Sequence, residues 1–324
     1  MNKTKLIFVL LTSLALGACS NSDDDELTPQ QPKSYPMTIE VAENPMVQVG
    51  KAESRPTRAA ITTTPTFTGF NMSYVYSSGA SSNPITATKD GDGKWKSDDG
   101  WPVGGSTVVS WYASTDGQFN QTEDANKLPY INFTVEEAAA NQHDLLVATA
   151  SGTYSGTGGK LSFTFDHACS ALRFYVKKST NLSGYTVTVS SIVLRNVVNQ
   201  GKYYYGSKEW TLTESRSNYT LLSSAKTLGS GSGDYQLLNG SEDNSYLFLI
   251  PQTLTAWNPS GALSNTYLEV TCIITNTSNS TQVYSGTAYI PFAATFEKGT
   301  KYDVKINIGK NSLYKSTDTK IISD

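Results

Sequence analysis

Short apolar runs that alternate in twos, punctuated by Gly, Asn, Asp and Ser, recur from Tyr35 to Ile308. Period-two alternation puts apolar side chains on one face of a strand and polar ones on the other, whereas an amphipathic helix needs a period of 3.6. Tyr35–Val41 (YPMTIEV) sets Met37, Ile39 and Val41 on one face. Runs of the same kind follow at Phe70–Tyr76, Val108–Tyr112, Tyr130–Val135, Leu145–Ala148, Leu161–Phe165 and Leu172–Val176. Further ones lie at Tyr185–Leu194, Tyr246–Ile250, Tyr267–Ile274, Val283–Ile290 and Tyr302–Ile308. Many short strands separated by turn residues predict an all-β chain built of antiparallel sandwiches. The 39 Thr and 19 Tyr fit that class, because β-branched and aromatic side chains suit a half-buried pleated surface. One or two turns of helix are expected only at Glu136–Asn141 (EEAAAN), where Ala and Glu favour it.

The phase of the alternation suggests a domain boundary. Leu161, Phe163 and Phe165 are odd-numbered, while Leu172, Phe174 and Val176 are even-numbered. Parity changes only at a bulge, a bend or a new sheet. We read the change across Asp166–Ala171 as the crossover between two sandwiches in tandem, residues 35–168 and 169–309, with a tail at 310–324; a bulge inside one sheet would give the same signal. A length of 324 residues suits two domains.

The first eighteen residues read as a signal peptide. Lys3 and Lys5 precede the eleven-residue apolar run Leu6–Leu16, too short for a stable bilayer span, and Leu16-Gly17-Ala18-Cys19 forms a lipobox. Cys19 is the expected site of lipid attachment, and two or more acyl chains anchor a protein firmly at about 0.8 kcal/mol per buried methylene. Residues 19–34 form an acidic, flexible tether. Within it Ser22, Asp23, Asp24, Asp25 and Glu26 resemble the signal that exports lipoproteins of the Bacteroides group to the outer face of the outer membrane.

Residues with reactive potential are sparse. The net charge of −3 argues against nucleic acid as a partner. Two His and three Cys leave little for metal sites or a disulfide framework, and no cofactor is expected. His143-Asp144 could orient a base, but there is no G-x-S-x-G elbow, and neighbouring strand residues point to opposite faces. His167 and Cys169 share a parity with Phe163 and Phe165, an apolar setting that suits an inert thiol rather than a nucleophile. Cys272, in phase with Leu268, Val270 and Ile274, reads as core. Buried free thiols are the expectation, with a Cys169–Cys272 disulfide as the alternative. The Gly229–Gly233 run lacks the Lys-Ser/Thr ending of a phosphate loop. Trp95, Trp101, Tyr203, Tyr204, Tyr205 and Trp210 are candidate sugar platforms, although such residues in β proteins usually pack.

One linker carries a mechanism. In Ser54-Arg55-Pro56-Thr57-Arg58-Ala59-Ala60-Ile61 the Arg55-Pro56 bond suits a trypsin-like protease poorly, whereas Arg58-Ala59 offers a cation at the cut and a small residue after it. The chain here resembles the fimbrillin-like family of Bacteroides-type bacteria, the type V pilins. The resemblance rests on Thr57–Ile61, Gly93-Lys94-Trp95 with Trp101-Pro102, and His143–Ala148. It continues through Leu161–Ala168 running into Ala171–Phe174, then Tyr246–Gln252 and Phe296–Tyr302. It implies two transthyretin-like β-sandwich domains, no enzymatic activity, and export as a lipoprotein held in the outer membrane. It implies cutting between Arg58 and Ala59 by an arginine-specific protease, which releases the strand bearing Met37, Ile39 and Val41. Other pilus subunits then fill the vacated groove by strand exchange, giving a surface fimbria for adhesion to a host or glycan ligand. The family's donor is its C-terminal tail; here Leu313, Tyr314, Ile321 and Ile322 make a thin apolar set. A stalk or tip subunit is expected ahead of an anchor, and a permanently anchored glycan-binding lipoprotein is the alternative.

Overall fold

A computed structural model describes residues 34–35, 37–49, 66–76, 83–102, 109–121, 128–152, 158–229, 234–238 and 246–315. The expected Cys19, Ser22–Glu26 and Arg58-Ala59 sites lie outside the described residues, as do Ile321 and Ile322. The chain is all-β. The stretch read as a helix holds a single 3-10 turn, Ala139–Asn141, with no side-chain cap and no buried residue.

Seven strands close a barrel in the order Leu146–Gly152, Gly159–His167, Met37–Glu43, Trp95–Ser97, Ile85–Lys89, Gly69–Tyr76 and Val109–Ser114. Alternate residues fill its interior: Phe70 and Met72 from one strand, Leu161, Phe163 and Phe165 from another, with Ile39 and Trp111 beside them, all buried. Aromatic rings cross there edge to face, Phe70 against Phe163 at 5.5 Å and against Phe165 at 5.1 Å, a geometry that adds to simple burial. Trp101 lies flat against Gly152 and Gly159, where an added Cβ would overlap its ring.

A second, larger apolar cluster sits between further sheets. In one, Ser170–Lys178 runs parallel to Thr300–Ile308 over eight register pairs. In the other, Tyr185–Val198 pairs antiparallel with Tyr267–Asn276, which pairs with Gln282–Pro291. Val187, Val189, Ile192, Val270, Cys272 and Ile274 face inward from these strands and are buried. A four-stranded sheet joins Gln118–Gln121 and Pro129–Thr134 to Gln200–Tyr204 and Glu209–Leu212, so strands from both sides of residue 168 pair directly. The described residues from Ser34 onward form one compact unit.

The parity change at 166–171 coincides with a change of sheet, since Gly159–His167 belongs to the barrel and Ser170–Lys178 to the second cluster's sheet. Most pairings are antiparallel. Among the described residues three strand pairings are parallel: Met37–Glu43 with Gly159–His167, Ser170–Lys178 with Thr300–Ile308, and Val47–Gln48 with Thr300–Ile308.

Candidate functional site

The N-terminal segment from Ser34 to Val49 is threaded through both halves of this architecture. Ser34–Tyr35 pairs with Trp101–Pro102. Met37–Glu43 then runs parallel to Gly159–His167 with seven register pairs, from Met37 opposite Gly159 to Glu43 opposite Phe165. On its other side it shares a single pair, Ile39 opposite Trp95. The ladder continues through Asn44 N–H, which donates to the Phe165 carbonyl at 2.8 Å, and through Val47 N–H to the Gly299 carbonyl at 2.8 Å. Val47–Gln48 finally caps the edge of Thr300–Ile308 with two pairs.

The side chains follow the alternation. Ile39 is buried, and the half-buried Met37 and Val41 pack onto the barrel core. Thr38 and Glu40 point outward; Glu40 accepts from Lys160 at 2.6 Å, which with the Ser162 hydroxyl holds its carboxyl below the ordinary value.

Glu43 breaks the apolar face. It is in phase with Met37, Ile39 and Val41, and only 4% exposed. One carboxylate oxygen accepts from Thr66 N–H at 2.9 Å and from Thr66 Oγ1 at 3.1 Å. The other lies 3.4 Å from His167 Nε2. The opposite ring nitrogen of His167, Nδ1, meets Asp144 Oδ2. Burial pushes the Asp144 carboxyl above its ordinary value, and the His167 contact opposes that shift. A histidine between two carboxylates therefore ties the end of the segment to the barrel wall and to the residue before Leu145.

The sequence candidates fall as follows. His143 is exposed; its neighbour Asp144 pairs with His167, twenty-three positions away. Cys169 and Cys272 are buried free thiols. Burial pushes the Cys169 thiol well up and the Cys272 thiol to about 11, so neither is poised as a nucleophile. Trp101, Tyr203 and Tyr205 are buried, which removes them as sugar platforms. Trp95, Tyr204 and Trp210 are half-buried and engaged by Phe70, Tyr130 and Tyr203. In the tail, Leu313 is buried, and Tyr314 exchanges two backbone hydrogen bonds with Tyr289 at 2.9 and 3.0 Å. Sequence reasoning missed the Glu43–His167–Asp144 group, although two polar residues, Glu43 and His167, in phase with apolar faces were its visible signal.

The sequence profile of fimbrillin-like proteins matches residues 57–322. The chain belongs to the fimbrillin-like family. Membership places it among structural, non-enzymatic proteins of the fimbrial type at the cell surface. The match begins one residue before Arg58 and leaves the whole 34–49 segment outside it. No curated protein matches the sequence. Among solved structures, the fimbrillin-like chain is similar to a candidate cell adhesion protein of Bacteroides eggerthii DSM 20697, with 12% identity, TM-score 0.49, and 86% of this chain and 87% of that one covered. A candidate cell adhesion protein of Bacteroides ovatus ATCC 8483 aligns with 13% identity and TM-score 0.46 over 87% and 95% of the two chains. A fimbrial protein of the same strain aligns with 12% identity and TM-score 0.37 over 85% and 50%.

Proposed function

We propose that this chain is a stalk or tip subunit of a fimbria, exported as a lipoprotein through Cys19 and the Ser22–Glu26 signal, and activated by an arginine-specific protease between Arg58 and Ala59. Polymerisation then proceeds by strand exchange, with a strand from another subunit replacing residues 37–49. The proposal retains two domains, 35–168 and 169–309, with the tail 310–324 as a candidate donor strand.

The observation that carries this reading is the lopsided hold on Met37–Glu43. It is an internal barrel strand with seven pairs on one side and one on the other. Withdrawing it parts the barrel between Gly159–His167 and Trp95–Ser97. Uncovering Ile39's site alone costs roughly 1.5–3 kcal/mol, and each ladder group left dry and unpaired about 1–3 kcal/mol. A hydrophobic groove edged by unpaired backbone is a template for an incoming strand. Because such a contact joins different surfaces of two subunits, it propagates as a filament.

The tail favours acceptance over donation. Leu313 and Tyr314 are engaged within their own chain, so a donor strand must peel them away or start beyond residue 315. The rival reading, a permanently anchored glycan binder working through exposed Trp and Tyr, loses Trp101, Tyr203 and Tyr205 to burial, while Trp95, Tyr204 and Trp210 are half-buried against other rings.

Treating the purified full chain with an arginine-specific protease tests the proposal. A single cut after Arg58 followed by detergent-resistant multimers is the expected result. A cut chain that keeps residues 34–49 bound and stays monomeric would refute it.

A further inference from the structure

The parallel ladder between Ser170–Lys178 and Thr300–Ile308 sets Arg173 opposite Asp303, Tyr175 opposite Lys305, Lys177 opposite Asn307 and Ala171 opposite Lys301. Leu172, Phe174, Val176 and Ile306 are buried, and alternate strand residues point to opposite faces. The odd-numbered residues of both strands therefore share the outer face. Two tyrosines from outside the ladder organise its cations. The Tyr246 ring lies 5.0 Å from the Arg173 guanidinium and 5.1 Å from Lys301 Nζ. The Tyr235 ring lies 4.4 Å from Lys177 Nζ and 5.3 Å from Lys305 Nζ, and its hydroxyl is 2.9 Å from Asn307 Oδ1.

The charge balance is one-sided. Asp303 accepts from Arg173 at 2.8 Å and that pair cancels. Lys177, Lys301 and Lys305 enter no salt bridge among the described residues. Three ammonium groups with no salt bridge among the described residues thus stand on one sheet face of a chain whose net charge is −3. At about 3.3 Å per residue along a strand, Lys301 and Lys305 are roughly 13 Å apart, with Lys177 toward the same end as Lys305. A lysine held over a ring is partly ordered before it binds, which reduces what association costs.

We infer that this strip binds a linear acidic polysaccharide: carboxylate or sulfate groups meet the three lysines while sugar C–H faces lie along the tyrosines. The chemistry favours that occupant. The wide spacing of the three cations disfavours nucleic acid, whose duplex carries a phosphate about every 1.7 Å. None of the exposed large apolar side chains among the described residues lies on this face, so a membrane finds nothing there to bury. A flat sheet with spaced cations and amphipathic rings suits an extended chain of anionic sugars. The inference stands apart from strand exchange and does not depend on it.

The test titrates the full chain with size-defined heparin oligosaccharides and with oligo-uronates at two salt concentrations. Binding that weakens with salt is expected. Lys177→Gln/Lys301→Gln/Lys305→Gln lowers affinity about tenfold or more and flattens the salt dependence, with an unchanged unfolding midpoint. The single change Lys305→Gln gives a smaller loss in the same direction, and Tyr235→Ala weakens binding while Tyr235→Phe does not. Lys89→Gln/Lys94→Gln/Lys315→Gln leaves affinity within about twofold. Four results would overturn the inference: no binding to either polysaccharide; equal losses in both triple variants; equal affinity for poly-glutamate; or a gain of about tenfold or more on neutralising Asp23, Asp24 and Asp25, which would make the acidic run the strip's own occupant.

Discussion

Residues 37–43 and 47–49 belong to one N-terminal segment and both add strands to parallel ladders, yet they are held by different forces. The first stretch is inside the barrel, with Ile39 buried, Met37 and Val41 packed on the core, and Glu43 locked to Thr66 and His167. The second caps a sheet edge chiefly by backbone, with one long side-chain contact from Gln48 Nε2 to the Lys301 carbonyl at 3.5 Å, its Val47 and Val49 being 67% and 50% exposed. The difference teaches where release meets resistance. Peeling from the 47–49 end costs a few solvent-accessible hydrogen bonds, whereas extracting 37–43 opens a hydrophobic core and strands a buried charge.

The largest effect should come from Ile39→Ala, which leaves a cavity in the barrel and lowers the stability of the uncut chain by about 2–5 kcal/mol. Chemical denaturation of the full chain measures this. Val47→Ser with Val49→Ser should move the same midpoint by less than about 0.5 kcal/mol. Equal effects at both stretches would erase the contrast.

Next in size is the charge lock. Glu43→Gln should cost about 1–3 kcal/mol, because His167 and Asp144 lose a buried partner. Hydrogen exchange at Ile39–Glu43 should quicken, and pairing the change with His167→Gln should cost less than the two single changes summed. Strict additivity would show that the 3.4 Å contact carries no coupling.

Alkali sharpens the contrast from another side. The Cys272 thiol is raised by burial from its ordinary 9 to about 11. In the unfolded chain it ionises first, so its contribution is intact below pH 9 and is lost as pH rises toward 11, in total about 3 kcal/mol. Buried Tyr203, pushed up to about 12 from 10, acts in the same sense at higher pH. Unfolding midpoints measured between pH 8 and 11 should fall in the parent and fall less in Cys272→Val.

How much of this was legible in the sequence depends on the range of the interaction. Alternation exposed the strands and the inward face of Met37, Ile39 and Val41, because strand phase is a local property. The parity shift at 166–171 marked the crossing between sheets for the same reason. Barrel closure and the parallel pairings were not legible, since nothing in YPMTIEV or LSFTF names the partner. The lock was half visible: Glu43 and His167 each end an apolar odd-numbered face, and a buried charge needs a counter-charge. The cationic strip was invisible because Lys177 and Lys305 each look like ordinary outward residues until the ladder sets their strands side by side.

The tail offers a test of the same size as the charge lock. Leu313→Ser should lower stability by about 1–3 kcal/mol if the tail packs only on its own chain, and filament yield should then rise or hold rather than fall. A fall in yield matched by no loss of stability would show Leu313 acting between subunits.

The central claim is that residues 34–49 are a removable part of the subunit. N-terminal sequencing of the protein taken from the assembled surface form tests it most directly. The account predicts a first residue of Ala59. A blocked, acylated Cys19 with residues 37–43 still in the barrel would contradict it.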